Sequence, residues 1–471
     1  MMRLFRFSGK SLPDLIICLF SILLVFLAPK NYSYSFCLIL HNLYILTFLF
    51  NEIRRQRGRD GLLSFNLLFS VGFYFTSFVY PVFIYNTGER YFSMFDFSYE
   101  EDLISYSTAV AYMAYCFLQL GLNNKQKETC KHNKPLFINQ NSLKNKLNIL
   151  SVLFTLLLLI FLLNNGLSYF SDQFIYSMSS EDRVMGYLIQ FITPIAYAIL
   201  IFAFNIHNRK CLCFYYATSI VAFYAIAILS SGSRTIPLSL IIMSLFLYNN
   251  KVKRISNIKL IGCGILFIMA MSLVGALRGE GELISIASIS ENASYVLKDK
   301  SENYFSFANE LIICNRNLYY LIGSTQTVGY TWGVTLLGSF LGLIPFLRSI
   351  FMSTTGIPEY FLNSALYNTF LSTGPFFEKG LGTHVVADIY ICWGILGVIF
   401  IFYLYGYIIT KIEDNKDNIL LSVVYYVILS NAIYACRASI FNLNQIFWTL
   451  AIVYLMFNIF KEKQASFAHI K

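Results

Sequence analysis

Residues 211–249 read CLCFYYATSIVAFYAIAILSSGSRTIPLSLIIMSLFLYN. A helix that crosses a bilayer takes about 20 predominantly apolar residues. A block of 39 residues therefore holds two crossings and leaves almost nothing for the turn between them. The turn must lie in LSSGSRTIP, residues 229–237, and it must be tight. Similar apolar runs recur along the whole chain. Hydrophobic residues make up 57% of it and charged residues only 13%, about half of the ~25% usual in a soluble domain. That excludes a soluble globular protein. A transmembrane β-barrel would show short alternating segments, and none occurs. The sequence is that of an all-α, polytopic membrane helical bundle.

Twelve spans are expected, near residues 12–28, 33–50, 62–85, 103–122, 147–163, 185–206, 211–230, 235–249, 257–277, 383–409, 419–436 and 440–460. The first follows a basic start and has no small-residue cleavage site after it, so it reads as an uncleaved span. The loops then alternate in charge. Of the 35 lysines and arginines, 24 fall on the side that carries both termini and 11 on the other. By the positive-inside rule the basic side, and with it both termini, is cytoplasmic. The net charge of +10 is thus explained by short loops, not by nucleic-acid binding. Most of the ten cysteines, such as Cys18, Cys116, Cys263 and Cys392, lie in apolar spans and read as small hydrophobes. No CxxC or HExxH motif occurs, so no protein-bound metal and no cofactor are expected.

Three regions follow. Residues 1–277 form an N-terminal membrane bundle of nine spans, 278–382 a large outer loop, and 383–471 a C-terminal bundle of three spans. Connections between elements usually take about 4–6 residues, and very long ones tend to be functional. This one holds aromatic and aliphatic residues at helical spacing in ENYFSFANELIICNRNLYYLI. It also holds WGVTLLGSFLGLIPFL, residues 332–347, which is short and interrupted by Gly338, Gly342 and Pro345. That piece reads as interfacial or re-entrant, with a pair of extra spans as the alternative.

The outer face carries arginines where the positive-inside rule disfavours them. Arg234 sits in the tight turn, at or just below the outer surface, where a cation needs a cavity or a partner. Gly232, Ser233 and Thr235 lie where the next helix starts, and its free N–H groups favour an anion. The alternative is a helix cap with the arginine snorkelling to headgroups. Arg278, in GALRGEGE, leaves the membrane as the long loop opens. Arg183 and Arg437 lie at outer ends of spans, and Arg316 lies in the loop near Glu310. Singly, each fits a surface ion pair. Together, five arginines suit the oxygens of an acidic lipid-linked substrate in the outer leaflet.

A further candidate is GLGTHVVADIYICWG, residues 380–394. Gly380 and Gly382 permit a turn, and Thr383 can cap the helix that follows. His384 and Asp388 are then one turn apart. A buried carboxylate beside an imidazole raises its basicity, and the pair could take a proton from a sugar hydroxyl. The alternative is that the two satisfy each other or cap the helix.

These stretches resemble the O-antigen polymerase family, the bacterial oligosaccharide repeat unit polymerases called Wzy. The likeness runs from the sixth span onward. It rests on SGSRT at an outer hairpin, an Arg-Gly pair opening a large periplasmic loop, and Gly-Thr-x-x-x-Ala-Asp-x-Tyr followed by WGILGVIFIFYLYG. The segment DRVMGYLIQFITPIAYAIL and the late Arg437 belong to the same order.

The resemblance implies a membrane glycosyltransferase of the bacterial inner membrane with a periplasmic active site. Two undecaprenyl-diphosphate-linked saccharides would meet there, and a sugar hydroxyl of one would attack the anomeric carbon of the growing chain on the other. His384, Asp388 and Arg278 would be catalytic. Arg234, Arg278, Arg183, Arg316 and Arg437 would hold the diphosphate without a metal. The lipid bilayer is the medium, and a chain-length regulator and a flippase would be protein partners. Two other readings stay open: an O-antigen ligase, which also has a large periplasmic loop, arginines and a histidine, and a flippase for the same lipid-linked unit.

Overall fold

A computed structural model describes residues 12–56, 63–85, 101–124, 140–164, 166–167, 180–207, 209–231, 233–260, 262–264, 308–375, 380–415, 418–440 and 443–459. Every regular element among them is helical. The helices in chain order are α1 Leu12–Phe26, α2 Tyr34–Gln56, α3 Phe65–Ser77, α4 Leu103–Asn123, α5 Gln140–Leu163, α6 Ser180–Asn205, α7 Leu212–Ser230 and α8 Thr235–Lys251. The second half contributes α9 Asn309–Ile312, α10 Cys314–Thr327, α11 Val334–Leu341, α12 Leu347–Thr355, α13 Ser364–Thr373, α14 Val385–Asp414, α15 Ile419–Ser430, α16 Ala432–Ala435 and α17 Leu443–Ile459. Among the described residues six helices are long and apolar enough to cross a membrane: those at Tyr34–Arg54, Leu103–Asn123, Gln140–Leu163, Val184–Asn205, Leu212–Ser230 and Val385–Asp414. Leu12–Phe26, Ile419–Ser430 and Leu443–Asn458 are apolar but shorter. The expected span 257–277 falls mostly outside the described residues.

The centre of the bundle is the pair α4 and α14. Helix α4 is rich in Ala, Ser, Thr and Gly, and it is buried along almost its whole length. In a membrane, small residues let helix backbones approach closely, and packing then replaces the missing hydrophobic drive. Gly121 of α4 and Gly406 of α14 make that approach. A methyl group on Gly121 would run into the Tyr403 carbonyl, and one on Gly406 into that of Leu118. Hydrogen bonds pin the register. Thr410 Oγ1 donates to Leu122 O at 2.7 Å, Asn124 Nδ2 donates to the Tyr403 hydroxyl at 2.9 Å, and the Tyr106 and Tyr390 hydroxyls meet at 3.0 Å. At one end of α4 the buried Asp14 of α1 is paired with Arg54 of α2 at 2.9 Å, which offsets the cost of a carboxylate there.

Helix α14 is broken at Gly394, which has φ 62° and ψ −153°. A left-handed φ is nearly free for glycine and costs other residues. Beside the break, in the loop before α11, Thr331 N–H donates to the Ile391 carbonyl at 2.8 Å. Residues 332–347 do not form one span. Helix α11 has 8 residues, about 12 Å at 1.5 Å per residue, and α12 begins after Phe346, itself left-handed at φ 65°. Trp332, Phe340, Ile344 and Phe346 stay exposed, as an interfacial segment requires.

Candidate functional site

The hairpin read from residues 211–249 forms as its length demands. Helix α7 ends at Ser230 and α8 starts at Thr235. Arg234 is the N-cap residue of α8, with no side-chain capping bond. Its guanidinium reaches out of the turn instead. Arg234 Nη1 lies 3.2 Å from Glu310 Oε1, and Arg437 Nη1 donates to Glu310 Oε2 at 2.8 Å. One carboxylate thus bridges two guanidinium groups, from the α7–α8 turn and from the segment between α16 and α17. The partner of Arg234 is Glu310.

Around this bridge the side chains are buried or half-buried. Burial works against the charge on Arg437, but the neighbouring Cys314 and Glu310 outweigh it and raise its proton affinity. Burial pushes the Cys314 thiol up to about 11, and Glu310 adds to the rise. Cys314 also feels Arg316, whose own value burial lowers to about 10, so that it stays a cation at neutral pH. Arg316 is 2% exposed, between Asn315 and Asn317, both fully buried, and its Nη2 donates to Asn317 Oδ1 at 3.2 Å. Arg234 and Arg437 therefore meet on one carboxylate, and Cys314 feels both Arg437 and Arg316. Arg278 lies outside the described residues, and so does the side chain of Arg183, at the start of α6.

The second candidate, at 380–388, is built by the same elements. Gly382 has φ 74°, which turns the chain before α14. The turn is latched from the loop helices. Asn317 Nδ2 donates to Leu381 O at 2.9 Å, Asn368 Nδ2 to Gly382 O at 2.8 Å, and Leu381 N–H to Thr369 Oγ1 at 2.9 Å. His384, not Thr383, is the N-cap of α14. It is extended, with φ −129° and ψ 135°, and its Nδ1 accepts from Val386 N–H at 3.1 Å. Its Nε2 meets the Ser77 hydroxyl of α3 at 3.1 Å. An Nδ1 that accepts leaves the neutral ring's proton on Nε2, so the ring donates to Ser77.

The expected His384–Asp388 pair does not form. The two are joined only through the backbone, Asp388 N–H donating to His384 O at 2.8 Å. Asp388 is fully buried. The hydroxyl groups of Ser364 and Ser439 face it. Ser439 lies two residues after Arg437, and the carbonyl of Cys436 accepts from Val385 N–H at 3.1 Å. Residues 436–439 thus touch both candidates: one side chain on the arginine cluster, one carbonyl on the first turn of α14, one hydroxyl toward Asp388.

Glu310, Tyr434 and the asparagines 315, 317 and 368 were not singled out from the sequence as site residues. Glu310 had a readable signal, an acid inside the apolar stretch NELIIC, where an unpaired carboxylate is costly.

A comparison with protein families matches one profile, described as O-antigen polysaccharide polymerase Wzy, over residues 14–464. That is nearly the whole chain, including the N-terminal helices that the motifs quoted above do not cover. No curated protein and no solved structure matches the chain. The motif order, the helical bundle and the profile agree, and the chain belongs to the O-antigen polysaccharide polymerase Wzy family.

Proposed function

We propose that this chain joins lipid-linked O-antigen repeat units at the periplasmic face of the inner membrane. The donor is the growing chain on undecaprenyl diphosphate, and the acceptor is a new repeat unit on a second such lipid. A hydroxyl oxygen of the acceptor's terminal sugar bonds to the donor's anomeric carbon. The bond from that carbon to the diphosphate oxygen breaks, and its electron pair leaves with undecaprenyl diphosphate. The hydroxyl proton passes to Asp388.

In this reading Arg234 and Arg437 hold the departing diphosphate with charge-assisted bonds, supported by Arg316, Arg183 and Arg278. Guanidinium charge takes the place that a metal ion holds in other diphosphate chemistry. His384 fixes the first turn of α14 and so the position of Asp388. Twelve spans put both termini in the cytoplasm, with 1–277 and 383–471 as the two membrane bundles and 278–382 as the outer loop over the site. A flippase would supply the substrate, and a chain-length regulator would set when it leaves.

One observation carries the reading. Two arginines far apart in sequence converge on a single carboxylate beside the start of α8. Guanidinium groups held together in this way suit the oxygens of a diphosphate ester. The test is the purified protein in proteoliposomes with the undecaprenyl-diphosphate-linked repeat unit as sole substrate. A ladder of lipid-linked oligomers is expected, with one undecaprenyl diphosphate released per bond and no loss on adding EDTA. Transfer that requires lipid A core as acceptor would identify a ligase instead.

A further inference from the structure

We propose that Glu310 is a placeholder for the substrate's diphosphate: its carboxylate keeps Arg234 and Arg437 together in the empty site, and the diphosphate displaces it. The inference rests on the reading of the arginine cluster given above. Three features of the bridge carry it.

The first is coordination. Arg234 and Arg437 each reach Glu310 through an Nη1, at 3.2 and 2.8 Å, each to a different carboxylate oxygen. An arginine offers five donors in a fork that suits bidentate binding. Arg234 Nε is buried with no hydrogen-bond partner, so a donor of the cluster is unused while Glu310 is in place. A diphosphate has more oxygens and can take both contacts and the spare donor together.

The second is access. The side chains of Glu310 and Arg437 are 32% and 29% exposed, whereas that of Arg234 is 12% exposed. The carboxylate stands on the open side of the cluster and at least one guanidinium lies deeper. An incoming anion meets Glu310 and Arg437 first, and Arg234 once the glutamate has moved.

The third is charge. Two guanidinium groups outweigh one carboxylate, and the neighbouring Cys314 feels Arg316 as a further cation. A diphosphate balances that charge better than a single carboxylate does. Without Glu310 the arginines would repel each other in the empty site. With it, product release is eased, because the glutamate returns to the arginines as undecaprenyl diphosphate departs. Glu310 is therefore a positioning residue that trades affinity for turnover.

The test measures binding of farnesyl diphosphate to the full-length protein in nanodiscs at low salt, together with polymerisation kinetics. Replacing a carboxylate that competes for a partly exposed ion-pair site is expected to change affinity by about five- to tenfold. Glu310→Gln should bind the diphosphate that much more tightly and lower kcat and KM together. Glu310→Ser provides the same comparison should the glutamine variant not fold. Unchanged or weaker binding in these variants, while Arg234→Ala and Arg437→Ala weaken it, would overturn the placeholder role and leave the diphosphate site standing. Undiminished binding in both arginine variants would overturn the diphosphate site itself, and the placeholder with it.

Discussion

The imidazole of His384 accepts the amide of Val386 at 3.1 Å, so His384 caps the helix on which Asp388 sits one turn deeper. The two residues are coupled by helix geometry and share no side-chain bond. Replacing an N-cap by alanine costs about 1 kcal/mol, whereas asparagine can cap in its place. His384→Asn should therefore retain activity within about tenfold of wild type, since its role is positional. Asp388→Asn should lose about 10²–10⁴-fold, the contribution of a general base. Polymer formed by the reconstituted protein measures both. Equal, severe losses in the two variants would return His384 to the role of proton carrier.

Arg234 and Arg437 share Glu310, so their effects should not be independent. Loss of one donor to a developing anion costs about 10²–10³-fold in rate. Arg234→Ala and Arg437→Ala should each fall in that range. The double variant should lose less than the product of the two, because residues in one ion-pair network couple. Lysine should restore little at either position, since it lacks the planar fork. Single-turnover rates in proteoliposomes give the coupling directly.

The contact between Gly121 and Gly406 should be the least forgiving in the membrane bundle. Leucine at either position meets backbone of the other helix. Overpacking of this kind typically costs about 1–3 kcal/mol. Gly121→Leu and Gly406→Leu should each lower the unfolding midpoint followed by size-exclusion fluorescence. A midpoint equal to wild type would mean that the two helices are not in contact there.

Cys314 offers a pH test of burial at the arginine cluster. Its thiol is pushed up to about 11, so the thiolate is disfavoured until the pH passes that value. At pH 9 only about 1% is ionised, against most of an ordinary thiol with a pKa near 8.5. Alkylation of Cys314, followed by site-resolved mass spectrometry, should stay slow up to pH 9 in the folded protein. It should speed up on unfolding. A rise in rate through pH 8 in the folded state would contradict the described burial.

The hairpin at 211–249 was legible in the sequence because its two helix lengths and its turn are local quantities. The same reading put Arg234 at membrane level and demanded a partner for it. It could not name that partner, since Glu310 is brought there by tertiary packing. The His384–Asp388 pair was misread for a local reason. The i, i+4 rule applies inside a helix, and His384 is an extended cap residue, so its side chain leaves the face that carries Asp388. The Asn317 and Asn368 latches on the 380–383 turn are likewise side-chain to backbone contacts between distant segments, which leave no periodic trace.

The most direct measurement is deletion of this gene, complemented with wild type or with an Arg234→Ala, Arg437→Ala double variant, followed by a gel of the surface polysaccharide. The account predicts lipid A core with one repeat unit and no ladder in the deletion and in the double variant, and a full ladder with wild type. A full ladder from the double variant would contradict the arginine site. A lipid-linked ladder never attached to core, or a loss of all repeat units, would contradict polymerisation as the step this chain performs.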